Sequence, residues 1–386
     1  WTDALAQERY GAGSTAANSL PVDGPASYYL TQDVELTETW KPYANITLCL
    51  NGHSIRMKDN KSVISSSGTF TLVDCKGDKS EYGEITHASG SKGHGVELTG
   101  GTFNMYGGNI TGNTAGSGGG VYMTGSCTFD MYGGQITSNT ATGSGGGVYS
   151  EYNSSSKRTF NMYGGEISGN NGALGGGGVY YGNGTFTMCG GEISGNSGGG
   201  GRFKNGGGGG GIVGTMTVSG DVKITGNTEV TDSVSTNNNV YLRGSDAVIT
   251  IGGDGLANAE IGVTKTFTAK ETVYVATGAD KDTDYTGIIT SDDDTYKVAH
   301  DSTDGTKLVL VENTPAPTEE HKHCICGETH TNVGDHTSKS ETTFATKLWM
   351  DGETLKMGDE EWKPTTTTVG SNKPSPHYVL SEGSYY

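Results

Sequence analysis

The sequence predicts an all-β fold in which short parallel strands coil as a solenoid, followed by a small C-terminal β/loop extension. Three observations carry this expectation. A nine-residue phrase returns four times: Thr102-Phe103-Asn104-Met105-Tyr106-Gly107-Gly108-Asn109-Ile110, then TFDMYGGQI from Thr128, TFNMYGGEI from Thr159 and TFTMCGGEI from Thr185. Its methionines, Met105, Met131, Met162 and Met188, are spaced by 26, 31 and 26 residues. A period of that size is one structural unit that buries its apolar face only by stacking on the next. Within the phrase, apolar and polar residues alternate, which is the period of a half-buried strand.

Each element of the turn follows in order. Alternation sends Phe103 and Met105 inward, with Phe129/Met131, Phe160/Met162 and Phe186/Met188 as equivalents, and leaves Thr102 and Asn104 outside. Leu48/Leu50 and Phe70/Leu72 extend the pattern upstream, and Met216/Val218 extend it downstream. Gly107-Gly108 breaks the first strand, a second carries Ile110, and after a bend at Gly112-Asn113 a third carries Gly120-Val121-Tyr122. Three strands per turn describe a triangular coil, with roughly eight turns between residues 45 and 251 at about 4.8 Å each. Asn113, Asn139, Asn170, Asn196 and Asn227 recur at the bend. Asn tolerates the left-handed region, so these residues are expected to turn the corner and stack as a hydrogen-bonded ladder.

The phrase GTFxMxGGxIxGNxA followed by GGGVY resembles the right-handed parallel β-helix of the pectin-lyase-like superfamily. The resemblance is to the Gly-rich form found in large bacterial surface proteins, similar to polymorphic-membrane-protein repeats. It covers residues 68–242; the opening SYYLTQDVELTETW…ITLCLNGHSI and the later HKHCICG also resemble pieces of surface proteins of gut Clostridia-type bacteria. It implies the fold and says little of activity, because the superfamily holds lyases, hydrolases, adhesins and fibres. The expected division is an N-terminal cap or junction at 1–44, the parallel β-helix at 45–312, a linker with a Cys/His cluster at 313–343, and a junction to a next block at 344–386.

Composition excludes several classes. Sixty-six glycines with only 8 prolines and no Gly-X-Y period exclude collagen. Forty-three acidic against 25 basic residues, a net charge of −18, oppose nucleic acid and anionic lipid as partners. No window reaches the roughly 18 apolar residues of a membrane span. Six cysteines are too few for a disulfide scaffold. Cys49 and Cys75 lie one period apart and are candidates for a bond between adjacent turns, while Cys127 and Cys189 read as single packed residues. The Gly-rich run Gly198–Gly211 reads as a projecting loop; with no following GKS or GKT it is not a phosphate loop.

Three sets of residues are candidates for chemistry. His321, His323, Cys324, Cys326, His330 and His336 fall within 16 residues and suit a tetrahedral zinc site, although Cys-x-Cys is tighter than the usual spacing. Tyr106, Tyr132 and Tyr163 form an outward column whose rings would stack on sugars or, alternatively, stabilise the sheet as an aromatic ladder; Tyr122, Tyr149 and Tyr180 form a second column. Gly93-His94-Gly95, Asp292-Asp293-Asp294 and Arg202-Phe203-Lys204 are similar to pieces of polygalacturonases, in the wrong order and without Asn-Thr-Asp.

The expectation is therefore a non-catalytic extracellular block of a bacterial cell-surface protein, a stalk, fibre or adhesin segment. Its partners would be neighbouring copies or blocks of itself, and glycans or a host surface. The alternative is a carbohydrate-active β-helix enzyme, a polysaccharide lyase or glycoside hydrolase. Ser384-Tyr385-Tyr386 repeats Ser27-Tyr28-Tyr29, as expected if the chain is one unit of a head-to-tail array.

Overall fold

The computed structural model describes residues 20–21, 26–43, 45–152, 155–182, 184–199, 210–256, 258–265 and 272–313. It also gives the backbone of four short strands, Thr2–Asp3, Leu348–Asp351, Thr354–Met357 and Glu360–Trp362. The chain forms two compact units, Trp1–Asn313 and Thr314–Tyr386. In the second unit the described strands make a three-stranded antiparallel meander.

The first unit is a parallel β-helix with three faces. On the first face, Ile46–Cys49, Thr69–Val73, Gly101–Met105, Cys127–Met131 and Arg158–Met162 pair in parallel, each with the next turn. The long strands Thr185–Ser194 and Met216–Thr225, then Ile249–Ile251, continue it, giving eight turns between residues 46 and 251. The second face carries Asn109–Thr111 and its equivalents; the third carries Val121–Met123 and its equivalents.

The register places like on like: Phe103 lies opposite Phe70 and Phe129, and Met105 opposite Leu72 and Met131. Phe103, Met105, Ile110 and Val121 are fully buried, as the alternation predicts, and Met123 joins them. Stacked phenylalanines run along the interior from Phe70 to Phe186 at centroid spacings of 5.4, 5.0, 4.8 and 4.7 Å. Trp40 closes the row, edge-on to Phe70 at 5.4 Å, with its indole N–H donating to the Pro21 carbonyl at 2.9 Å.

Two glycines show why the repeat demands them. Gly134 has φ +82°, and a Cβ there would lie 2.6 Å from the Met105 methyl. Gly120, just before Val121, faces the interior beside the asparagine ladder, where a Cβ would come within 2.7 Å of Ile136 Cγ2 and 3.1 Å of Asn139 Nδ2. The polar ladder thus occupies the space that a side chain on the third face would need.

The structure corrects two expectations about the coil. Parallel pairing begins before residue 45: Ala26–Tyr29 pairs in register with Ile46–Cys49, and Val34–Leu36 with Ile55–Met57. Tyr28, Leu30, Val34 and Leu36 are all buried, so much of the supposed cap is a turn of the coil. The left-handed residue at the corner is also not the asparagine but the one before it: Gly112, Ser138, Gly169, Gly195 and Gly226 have φ of 67°, 53°, 62°, 60° and 64°. That kink swings each asparagine side chain into the core.

After the asparagines, short strands from Thr114–Ala115 to Thr228–Thr231 build a parallel corner sheet, which the antiparallel strand Val234–Asn237 ends as an exposed hairpin. Asp232 and Ser233, both at positive φ, make its two-residue turn. The Gly-rich run is anchored at Ser197–Gly199 in this sheet and at Gly211, which enters the third face; residues 200–209 lie outside the described residues.

The C-terminal end of the coil is closed by a change of direction. Lys307–Glu312 pairs antiparallel with Val273–Thr277 and with Tyr296–His300. Its turns are pinned by Asp-x-Thr units, in which one carboxylate oxygen accepts from the threonine N–H and hydroxyl; Asp301 does so at 2.7 and 2.6 Å. Thr303, with Asp304 N–H, draws the Asp301 carboxyl down to about 2. Its contribution to the closure is therefore full above the ordinary 3.8 and fades as pH falls through about 2.

Cys49 and Cys75 form a disulfide, with a Cα–Cα distance of 6.2 Å and a sequence separation of 26. In the chain-entropy view a loop of that length contributes about 3–4 kcal/mol. We expect Cys49→Ser with Cys75→Ser to lower the denaturant midpoint correspondingly, without changing the far-ultraviolet circular dichroism of the folded protein. An unchanged midpoint would show that the bond adds nothing to stability.

Candidate functional surface

The asparagine row forms the ladder expected of it, and every rung is satisfied. Asn113 Nδ2 donates to Asn139 Oδ1 at 2.9 Å, Asn139 to Asn170 at 3.0 Å, Asn170 to Asn196 at 2.9 Å and Asn196 to Asn227 at 2.8 Å. Each acceptor oxygen also takes the backbone N–H of the preceding asparagine. Each NH2 group spends its second proton on an isoleucine carbonyl, from Ile85 to Ile193, and this fixes the amide orientation.

The ladder therefore has a direction, and it runs further than the repeat. Asn227 donates on to Asn239 at 3.0 Å, and Asn239 grips both oxygens of Asp292, through its backbone N–H at 2.8 Å and its Nδ2 at 2.6 Å. A carboxylate accepts and donates nothing, so it can end the series. Burial pushes the Asp292 carboxyl above its ordinary value, opposed by the donors Asn239 and Thr264. At the other end His87 Nδ1 meets Asn113 Oδ1 at 2.7 Å.

Outside, Tyr106, Tyr132 and Tyr163 are 50%, 42% and 45% exposed. Their rings stack on one another at 4.5 and 4.9 Å, with interplanar angles of 5° and 13°. Both faces of Tyr132 are thereby covered, and the column offers ring edges and hydroxyls along its flank. Burial in the stack and then the Asp130 carboxylate raise the Tyr132 phenol above its ordinary value. Cys189 takes the tyrosine's place in the next turn and is a free thiol.

The second column is half-buried and outward-facing, and His94 begins it: His94, Tyr122, Tyr149 and Tyr180 stack at 4.5, 5.7 and 5.3 Å. Tyr122 and Thr124 donate to Glu151 at 3.3 and 3.2 Å, and the wholly buried Arg158 side chain approaches the same carboxylate at 3.4 Å. Arg158 also donates to the carbonyls of Glu151, at 2.8 Å, and Thr124. Cys127, beside Arg158 in the register, has its thiol pushed up to about 11 by burial, which leaves it unreactive near neutral pH.

The polygalacturonase-like pieces do not converge. His94 Nδ1 donates to the Gly118 carbonyl at 2.9 Å, and burial lowers its pKa. It sits on the turn of Val96, whereas Asp292 lies beyond the strand pair of Val240 and Val263, six strand spacings or about 30 Å away. Arg202, Phe203 and Lys204 lie outside the described residues, as do His321, His323, Cys324, Cys326, His330 and His336. Among the described residues no group of three His, Cys, Asp or Glu side chains is placed to hold a metal. No described helix is long and apolar enough to cross a membrane.

An open hollow of about 430 Å³ lies near the C-terminal closure, lined by residues including Ile251, Asp254, Leu256, Asp280 and Tyr285. Sequence reasoning missed it, together with His87 and Asp292 as ladder ends. None of the three repeats, and so the period carries no trace of them. Comparison with family models, curated proteins and solved structures finds no match for this chain.

Proposed function

We propose that this chain is a non-catalytic, extracellular block of a bacterial surface protein, a stalk, fibre or adhesin segment built on a Gly-rich β-helix of the pectin-lyase-like kind. The observation that carries the reading is the in-register stacking of like residues inside and outside the coil. The phenylalanine, asparagine and tyrosine rows spend their contacts on the neighbouring turn, which favours an axial scaffold over a pocket. The Cys49–Cys75 bond supports an oxidising, extracellular setting.

Because antiparallel strands close the C-terminal end of the coil, joining one block to the next by adding a parallel strand there is disfavoured. The proposed junction is the tail from about residue 344, and the partner is another copy of the block. Small-angle scattering from a two-block protein tests this: a stiff rod is expected, and freely jointed blocks would count against it. Any adhesion to glycans would use the tyrosine hydroxyl edges, since the ring faces are stacked on each other. Release of oligosaccharides from uronate or neutral polysaccharides by the purified protein would replace this reading with that of a carbohydrate-active enzyme.

A further inference from the structure

The amide ladder has an oxygen end and an amino end. Because the Asn113 Nδ2 is committed to the Ile85 carbonyl and to the next rung, the Asn113 oxygen must face backwards, towards His87. His87 is buried, and its other ring nitrogen, Nε2, lies 2.8 Å from the Lys61 carbonyl. Both ring nitrogens therefore meet oxygens that only accept. A neutral imidazole carries a lone pair on one nitrogen and would set it against an oxygen at hydrogen-bond distance.

We propose that His87 is held as an imidazolium that donates from both nitrogens, and that this charge is the latch of the ladder's oxygen end, tying the Lys61 loop to the asparagine row and releasing it when the proton is lost. The physical setting suits a cation. The aligned side-chain amides present their oxygen end to His87, as the C-terminal end of a helix presents carbonyls to a positive charge. At the far end the amino pole meets Asp292, a carboxylate. The two charges thus match the two poles.

Two titratable residues, His94 and Lys61, stand beside this point. His94 is the neighbouring imidazole; it packs on Tyr122 and donates to the Gly118 carbonyl, and His87 is among the lesser causes lowering its pKa, after burial. Lys61 offers its carbonyl to His87, while its ammonium turns away to Glu38 at 2.5 Å and the Thr37 carbonyl at 3.1 Å. Gly93 presses close enough that a Cβ would stand 2.8 Å from His87 Nε2, which leaves little room for the ring to turn away. Deprotonation is therefore answered by opening of the segments packed on the ring. These are held by Val63 N–H to the His94 carbonyl at 2.9 Å and Gly93 N–H to the Thr114 carbonyl at 2.8 Å.

Nitrogen-detected NMR of ¹⁵N-histidine protein tests the protonation state directly. Two protonated ring nitrogens are expected for His87 near neutral pH, and a single unprotonated one would overturn the proposal. Hydrogen exchange tests the latch. After correction for intrinsic rates, local opening at Val63 and Gly93 is expected to rise with pH, by up to about tenfold per unit where opening releases the proton that the closed form holds, within a scan from about pH 5 to about pH 9. His87→Asn, which keeps a donor to Asn113 without a titrating ring, should abolish that pH dependence. His94→Gln should keep it. A flat profile in the parent protein, or a dependence that vanishes with His94→Gln and survives His87→Asn, would show that His87 is not the latch.

Discussion

Met131→Asp is expected to leave no folded protein. Met131 is fully buried, with Met105 opposite it in one neighbouring turn and Met162 in the other, and its methyl group lies 2.6 Å from where a Cβ on Gly165 would sit. An aspartate there would place a carboxylate in the apolar centre of the stack, with no donor on the same row. Such burial costs several kcal/mol or more, against a typical total stability of about 5–15 kcal/mol. A solenoid interrupted in the middle also loses stacking on both sides. Thr128→Ala, on the outward side of the same strand, is the control and should change stability by less than about 0.5 kcal/mol. Circular dichroism with thermal melting decides the matter; a Met131→Asp protein that melts like its parent would overturn the inward assignment.

Asn170→Ala is expected to be nearly as damaging, for a different reason. Asn170 Oδ1 receives both the backbone N–H and the side-chain amide of Asn139, and its own amide serves the Ile136 carbonyl and Asn196 Oδ1. Truncation strands buried donors and acceptors on both neighbouring turns, each at about 1–3 kcal/mol, so a loss of at least about 3 kcal/mol follows. Asn170→Asp should be no better, because its carboxylate would face two acceptors. Asn161→Ala, an outward asparagine whose amide reaches Asp130 at 2.7 Å, should cost less than about 1 kcal/mol. Equal losses at Asn161 and Asn170 in chemical denaturation would mean that the ladder carries no special weight.

What the sequence made legible was whatever repeats. Alternation at Phe103 and Met105 placed the core rows, and the recurrence of Asn113 to Asn227 placed the ladder, because stacked turns set identical residues about 4.8 Å apart. The same spacing explains why the tyrosine faces are consumed: rings held at nearly that distance can hardly avoid stacking. Single features left no such trace. The coil's turn at Ala26–Leu36, its antiparallel closure at Lys307–Glu312, and the ladder ends at His87 and Asp292 each occur once, and each is set by tertiary contacts rather than by period. Intrinsic tolerance favours asparagine for the left-handed corner, whereas the turn puts it on the preceding glycine or serine so that the amide can point inward.

The unequal spacing of the methionines has a consequence for how such a molecule changes over generations. Although one interval is 31 residues and its neighbours 26, Met105, Met131, Met162 and Met188 remain in register, because most of the extra residues fall in the sequence between the strand that ends at Ser150 and the one that begins at Arg158. Length within a turn and rise between turns are thereby independent. A whole turn can be duplicated or lost by recombination between similar stretches of gene, altering the reach of the rod by about 4.8 Å at a time. Decoration of a corner can vary without altering reach at all. So long as the two unrepeated ends stay at the extremities, the interior behaves as a graduated ruler whose marks can be added or removed singly, and reach becomes a trait that selection can tune in small steps.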